Sequence, residues 1–434
     1  MASDVSASVA SMPTMISKDV IVLGGGFAGV AAAQHLAGKG AEVLLIDKNN
    51  YHQFQPLHYQ VATSQIGVSE VARPLREMFR RHADVRVLVS EVSAIDPVAK
   101  TVTLADGRVC QAKTLVVAVG AEANYFGIPG AEEHTYPMYT LDDALRLGAQ
   151  MVSELDHADT ANDASRSLDL VVVGGGATGV ELAGAVADNL RSVVPTLFSP
   201  DFARATTVHL VDMVPTVLGP FSEKSQKYAR AHLGELGVEL RLGVGVTEVK
   251  PDGVTLADGS TIPATIIVWA GGLKASRLIA ESGMPQGRGG RVDVNTELTV
   301  PGFPGVYVLG DSANITDSKG RALPQLGSVA QQSGKWAARN IHADLTGGHR
   351  EPFRYRDKGI MAMIGRGAAV AEVGPGRRQI QGPLAFLAWL GVHAALLSGV
   401  WQRVGAFASW GAAYLTHNRP QVVLASDTGK PRPQ

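Results

Sequence analysis

A chain of 434 residues, at roughly 150 per domain, has room for about three domains, and its 39 basic against 40 acidic residues exclude a nucleic-acid binder that works by bulk electrostatics. Hydrophobic residues at 45% against 18% charged put a large core within reach, while the single cysteine, Cys110, excludes an intrachain disulfide framework and a thiolate metal cluster, so no metal is expected.

Residues 1–17 carry Asp4 where a signal peptide needs a positive charge, lack an apolar segment, and read as a disordered leader. Val20–Leu23, "VIVL", is a β-branched apolar run ending at glycine, the pattern of a buried parallel strand. Helical spacing follows over Ala28–Ala37, then a strand "EVLLID" at Glu42–Asp47. Residues 84–119 read as short strands turned at "DP" and "ADG", closing on Leu115–Val119. Residues 150–167 are polar and helical, ending in the loop "HADTANDASRS". Leu170–Asn189, "LVVVGGGATGVELAGAVADN", then repeats the unit that began at Val20. Its second strand, Ala205–Asp212, is delayed by the insertion "RSVVPTLFSPDFARA", and residues 237–269 repeat the short strands around "ADG". The duplicated unit is therefore strand, glycine turn, helix, strand, small meander and closing strand. From Gly302, "GFPGVYVLGDSANI" reads as strand and turn before a helix over Ser328–Asp344. Residues 359–373 read as strands, 383–415 are strongly apolar, and "SDTGKPRPQ" is a polar tail.

Each glycine turn has a chemical reason. In Gly24-x-Gly26-x-x-Gly29 the first glycine permits a tight turn and the second lets backbone approach a pyrophosphate at the helix N-terminus. The third lets helix and strand pack closely. Asp47 ends the next strand, where an acid hydrogen-bonds a ribose hydroxyl. Gly174-x-Gly176-x-x-Gly179 with Asp212 meets the same tests, and that acid favours NADH over NADPH. Two turns call for two dinucleotides. The fold class expected is α/β, with two Rossmann-like dinucleotide-binding domains and a C-terminal amphipathic helical membrane-binding region.

The order of motifs resembles the two-dinucleotide-binding-domain flavoproteins of the glutathione-reductase fold. Within them it resembles type II NADH dehydrogenase, the non-proton-pumping NADH:quinone oxidoreductases, over roughly residues 18–415. The stretches that carry the likeness are "DKNNYHQFQPLHYQVAT", "NYFGIPG", "GGGATGVELAG", "GVYVLGDSA" and "KGIMAMIGRGAAV". The resemblance implies FAD on the first turn, at Gly24, Gly26, Phe27, Ala28, Gly29, Asp47 and Lys48. It adds Gly120 and Ala121 from "VVAVGA", Gly310 and Asp311 from the second flavin motif, and Ala330 and Gln331. It implies NADH on the second turn, at Gly174, Gly176, Ala177, Thr178, Gly179, Glu181 and Asp212. Glu181, Gln332 and Lys358 match catalytic positions near the flavin. The competing reading of Glu181 is a carboxylate favoured by a helix N-terminus by ~0.3–1 kcal/mol, and that of Lys358 is a solvated loop lysine. Asp311 also suits a helix cap. One departure is Ser328, which stands where relatives often carry a glutamine near the quinone; His393 is the nearest polar candidate in the C-terminal region.

The implied domains are an FAD-binding domain of residues 18–140 and 302–345, an NADH-binding domain of 141–301, C-terminal strands and membrane-interface helices of 346–415, and a polar tail of 416–434. From Gln379 to Gln402 there is no Asp, Glu, Lys or Arg. Gly391, His393, Ser398 and Gly399 interrupt that run, and Arg403 follows it, so two helices lying in the bilayer interface rank first, with Trp389, Trp401 and Trp410 at headgroup depth. A homodimer surface ranks second and a spanning helix third. The expected activity is oxidation of NADH with reduction of a membrane quinone through FAD, without proton pumping, at the cytoplasmic face of the inner (plasma) membrane and with no nucleic acid involved. Disulfide reductases and sulfide:quinone oxidoreductases need paired cysteines, which one thiol cannot supply. A ferredoxin- or rubredoxin-type reductase, which should lack the C-terminal apolar stretch, and a non-enzymatic NADH-sensing flavoprotein are the alternatives.

Overall fold

The computed structural model describes residues 15–160, 168–198, 206–374, 376–416 and 422. The leader before residue 15, residues 161–167 of the expected loop, the insertion from 199 to 205 and nearly all of the polar tail lie outside the described residues. Two compact units divide the chain. One comprises the described residues to His52 with Pro74–Ala121 and Lys274–Tyr355; the other comprises Gln53–Arg73, Glu122–Leu273 and the described residues from Arg356.

The first unit is built on apolar runs that do not alternate. Val20–Leu23, Val43–Ile46, Leu115–Val117 and Val306–Leu309 are all essentially inaccessible to solvent, as strands covered on both faces must be. They form a sheet in the order Thr299–Val300, Phe303–Val308, Val109–Val117, Ile16–Leu23, Val43–Asp47 and Val85–Val89. All pairs are parallel except the first, with Val20 facing both Val43 and Thr114. The first strand starts at Ile16, paired with Cys110, so residues 16 and 17 belong to the sheet rather than to a leader. Val92–Asp96 and Thr101–Leu104 form an antiparallel meander joined to Val109–Val117. Helices Phe27–Leu36 and Gly327–Thr346 cross where only glycine fits: a β-carbon on Gly334 would lie 2.1 Å from the Ala28 carbonyl oxygen. Cys110 is buried in its strand, and burial pushes its thiol up, away from the reactive thiolate.

The second unit repeats the plan. Its parallel sheet runs Tyr136–Pro137, Ile266–Trp269, Leu170–Val173, Val208–Asp212, Val238–Leu242. The meander is Val246–Lys250, Gly253–Leu256 and Thr261–Pro263. A further antiparallel sheet of Gly359–Gly365, Ala368–Val373 and Arg378–Gln381 packs on helix Ala177–Ser192, where a β-carbon on Gly184 would lie 2.5 Å from the Ile364 carbonyl oxygen. That close approach sets the height of the helix over the strand and hence of Glu181, which projects beside it.

The apolar C-terminal stretch is two helices, Pro383–Leu396 and Val400–Leu415, with Pro383 in the first turn of one and a break at Leu397–Gly399. Arg403 donates from Nε to the Leu397 carbonyl (3.0 Å) and from its guanidinium to that of Ala395 (3.0 Å), so the one cation in the apolar run caps the helix before it. Leu384, Leu387, Val392, Leu396, Val400, Trp401, Val404 and Phe407 are exposed. No helix among the described residues is long and apolar enough to cross a membrane. The tryptophans correct one expectation. Trp401 is exposed, but Trp389 and Trp410 are interior: they pack edge to face at 6.2 Å, Trp389 stacks on His393, and Trp410 donates to Gln60 Oε1 at 2.7 Å. An indole nitrogen needs a partner when buried, and Gln60 supplies one.

Candidate active site

Both glycine turns are the same device. In the first unit Gly24 has φ +100°, and a β-carbon there would lie 2.2 Å from the Ala118 carbonyl oxygen; one on Gly29 would lie 1.9 Å from that of Gly24. A β-carbon on Gly26 would meet nothing within 4 Å. Gly24 and Gly29 thus serve the fold, while Gly26 keeps a space clear. Gly26 caps helix Phe27–Leu36 with extended backbone and no side-chain hydrogen bond, an arrangement that suits an anion at the helix start. Asp47 fixes the loop by accepting from Gly25 N at 2.5 Å and Asn49 N at 2.7 Å, while its burial pushes its carboxyl up. Lys48 beside it is exposed.

The second unit reproduces each part. Gly174 has φ +115°, with a β-carbon 2.4 Å from the Ala270 carbonyl oxygen; Gly179 would meet the Gly174 oxygen at 1.9 Å; Gly176 is clear. Gly176 caps helix Ala177–Ser192 without a side-chain bond, and Ala177 and Thr178 are exposed at that helix start. Asp212 accepts from Gly175 N at 2.5 Å and Val214 N at 2.9 Å. Open second glycines over uncapped helix starts fit a pyrophosphate in both units, which is what the residues expected for FAD and NADH require.

Around the first turn the unit gathers several of the other expected residues. Gly310, at φ +62°, is wedged between Ala28 and Ala330, each 3.2 Å from a β-carbon placed there. Its N–H donates to Ser333 Oγ at 3.2 Å. Asp311 lies in the short turn Gly310–Ser312, and Gln325 donates to its carbonyl at 3.3 Å. Gly120 accepts from Ser312 Oγ at 2.9 Å, with Ala121 buried next to it. Phe27 lies edge-on to His52 at 5.4 Å, and its ring fills the space a side chain on Gly327 would need. Gln331 and Gln332 are half-buried on helix Gly327–Thr346. Ser328 is bonded to Tyr355 Oη at 2.9 Å. Three tethers here escaped the sequence reading: His52, whose Nδ1 donates to the Gly25 carbonyl at 2.8 Å, Ser312 and Ser333. For His52 the signal was present, since it lies inside the quoted "DKNNYHQF".

Glu181 lies in the second unit on a fully different footing from its neighbours. It is buried, Met363 N–H donates to its Oε1 at 3.1 Å, and burial pushes its carboxyl up to about 8. It is therefore a neutral acid at pH 7. Helix Ala177–Ser192 brings it to a narrow cleft with Tyr59, Asp188, Met363, Arg366 and Tyr414. Tyr59 Oη lies 3.2 Å from Met363 Sδ and accepts from Gln60 Nε2 at 3.0 Å; burial, then the nearby Glu181, push its hydroxyl up. The Trp389 indole also faces this carboxyl, outside hydrogen-bond geometry. His393 donates from Nδ1 to the Trp389 carbonyl at 2.8 Å and stacks on that ring at 3.8 Å, and burial pulls it down to about 4, so it is neutral. His58 is likewise neutral, pulled down to about 4 by burial, with Nδ1 3.2 Å from the Tyr139 carbonyl. Lys358 is exposed at the start of strand Gly359–Gly365, five residues or roughly 16 Å of extended chain before Met363, so the fold does not bring it to Glu181.

Residues 18–334 match the pyridine nucleotide-disulphide oxidoreductase family. The type II NADH:quinone oxidoreductase Ndh of Mycobacterium tuberculosis is 36% identical over 93% of this chain and 90% of its own. The Staphylococcus aureus type II NADH:quinone oxidoreductase is 30% identical over 82% of this chain and 90% of its own. Among solved structures, Plasmodium falciparum NDH2 in complex with NADH superposes with TM-score 0.85 at 19% identity, covering 93% of this chain and 99% of that one. The sulfide:quinone oxidoreductase of Aquifex aeolicus shares the fold at TM-score 0.71 and 20% identity, over 89% and 92%. Twin glycine cradles, a lone buried cysteine that cannot form a redox disulfide, and identity running nearly end to end agree: the chain belongs to the pyridine nucleotide-disulphide oxidoreductase family and, within it, to the type II NADH:quinone oxidoreductases.

Proposed function

We propose that this protein oxidises NADH and reduces a membrane quinone through a bound FAD, without moving protons across the bilayer, while lying on the cytoplasmic face of the inner membrane. The observation that carries the reading is the duplicated cradle: one uncapped helix start with a clear glycine and a loop-fixing acid in each unit. When bound, FAD supplies the step that no side chain here can perform, accepting two electrons from a hydride donor and passing them to a quinone. Gly26, Asp47, Gly120, Gly310 and Asp311 hold that cofactor, with Ala330, Gln331 and Gln332 beside it. Gly174, Gly176, Gly179 and Asp212 hold NADH. Asp212 ends its strand and is followed by Met213 and Val214, neither of them a cation that would pair with a 2′-phosphate.

Quinone reduction consumes two protons. Glu181 holds one at neutral pH in a cleft it shares with the Tyr59 and Tyr414 hydroxyls, which suits it to be a proton donor for that step. The exposed apolar faces of helices Pro383–Leu396 and Val400–Leu415 rest in the bilayer interface, with Trp401 at headgroup depth. That face argues against a ferredoxin- or rubredoxin-type reductase, which works on a soluble partner. The test is reconstitution of the holoprotein on liposomes that contain a quinone and a lumenal pH dye. NADH oxidation that requires the quinone and leaves lumenal pH unchanged supports the reading; oxidation indifferent to quinone, or lumenal acidification, overturns it.

A further inference from the structure

One exposed aromatic residue in the second unit is held in a conformation that its side chain disfavours. Phe126 has φ +53°, in the left-handed region that bulky residues rarely enter, and its side chain is 62% exposed. The surroundings fix it there. Asn124 Oδ1 accepts from Phe126 N at 3.0 Å, Asn124 N donates to the Gly272 carbonyl at 3.0 Å, and Trp269 Nε1 donates to the Asn124 carbonyl at 2.8 Å. The Phe126 ring lies over Gly272, where a β-carbon would come within 3.2 Å of it, and Gly272 itself has φ +142°. Glycine at position 126 would satisfy the backbone with less strain, so a phenyl ring kept on this loop points to a use for the ring.

Topology says what the ring faces. Strand Leu170–Val173, which feeds the Gly174 turn, has Val208–Asp212 on one side and Ile266–Trp269 on the other. A dinucleotide bound across the carboxyl ends of such strands lays its adenosine ribose toward the strand bearing the acid, here Asp212. Its other half then runs over the carboxyl end of Ile266–Trp269. There Ala270 and Gly271 abut Gly174, with a β-carbon on Gly174 only 2.9 Å from Gly271 N, and Gly272 carries the Phe126 ring. The Trp269 indole packs against Gly271 and is buried, so the large apolar side chain that stands out into solvent over Gly272 is Phe126.

We infer that Phe126 is the aromatic wall against which the nicotinamide end of NADH rests, a binding and specificity residue for the hydride donor. The inference rests on the proposed use of NADH. Phe126→Gly tests it without a folding confound, because glycine suits the backbone at this position. With holoprotein under anaerobic conditions, NADH affinity should fall at least about fivefold, the low end of ring-stacking effects, while inhibition by ADP-ribose, which lacks nicotinamide, stays the same. Phe126→Tyr should restore NADH affinity, and the melting temperature of Phe126→Gly should not drop. Unchanged NADH affinity in Phe126→Gly, or equal losses for NADH and ADP-ribose, overturns the inference and leaves the proposed function standing. A wild-type protein that fails to bind NADH overturns both.

Discussion

Replacing Glu181 by glutamine keeps the shape of the side chain and an oxygen for the Met363 N–H, and removes only the titrating proton. The wild-type carboxyl is raised by burial from 4.5 to about 8. Between those values the folded protein holds a proton that the unfolded chain has released, so stability falls as pH rises through the window, by about 1.4 kcal/mol per unit. From pH 5 to pH 7 the loss attributable to Glu181 is about 3 kcal/mol. Glu181→Gln escapes it: the variant should match wild type near pH 5, exceed it by about 3 kcal/mol at pH 7, and gain nothing further above pH 8. Urea or thermal unfolding of the holoproteins from pH 5 to pH 8.5, followed by tryptophan fluorescence, reads the difference directly. A stability difference that is the same at every pH, or that widens toward acid, refutes the buried neutral carboxyl. The same proton makes an activity prediction: quinone reduction by wild type should decline as pH passes about 8, and the variant should lose that limb.

The glycine turns separate folding from binding. Gly29→Ala should destabilise by ~2–3 kcal/mol, because its β-carbon would lie 1.9 Å from the Gly24 carbonyl oxygen; Gly26→Ala should leave apoprotein stability unchanged but release flavin on dilution, as measured by retained absorbance. Asp212→Asn keeps an acceptor for Gly175 N but drops the charge, so the ratio of KM for NADPH to KM for NADH should fall; a constant ratio would remove Asp212 from cofactor selection. Serine at Leu384, Leu387, Trp401 and Phe407 together should shift the protein from vesicle-bound to free in flotation assays while quinone-independent flavin reduction by NADH persists. Unaltered flotation would hand that face to a second copy of the chain.

What could be read from the sequence was what is local in it. The strand–glycine–helix turns and their acids lie within one supersecondary unit, so spacing alone located Gly24, Asp47, Gly174 and Asp212, and the duplication gave the two sheets. Trp389 and Trp410 could not be read the same way. Helix Pro383–Leu396 is apolar nearly all round, so no polar stripe marks which side turns inward. The partner that buries Trp410, Gln60, is 350 residues away. Glu181 stands out by position, but its neutral state comes from burial, against the pull of the Met363 N–H, and the strand that brings Met363 to it lies far downstream in the sequence. Nor does the chain announce that Gln53–Arg73 folds with the C-terminal helices; that follows from links such as Arg73 to the Ser398 carbonyl and Glu70 against Ser409. Ser328, which stands where relatives often carry a glutamine near the quinone, is hydrogen-bonded to Tyr355, 27 residues on, a pairing that local spacing does not show.

We propose that each cradle holds one dinucleotide and that electrons from NADH reach quinone through the flavin. Anaerobic titration of the purified holoprotein, followed by flavin absorbance, tests it most directly. Stoichiometric NADH should bleach the visible flavin absorbance, and a short-chain quinone should restore it in the absence of oxygen. A protein that carries no flavin, or whose flavin stays oxidised under excess NADH, contradicts the account.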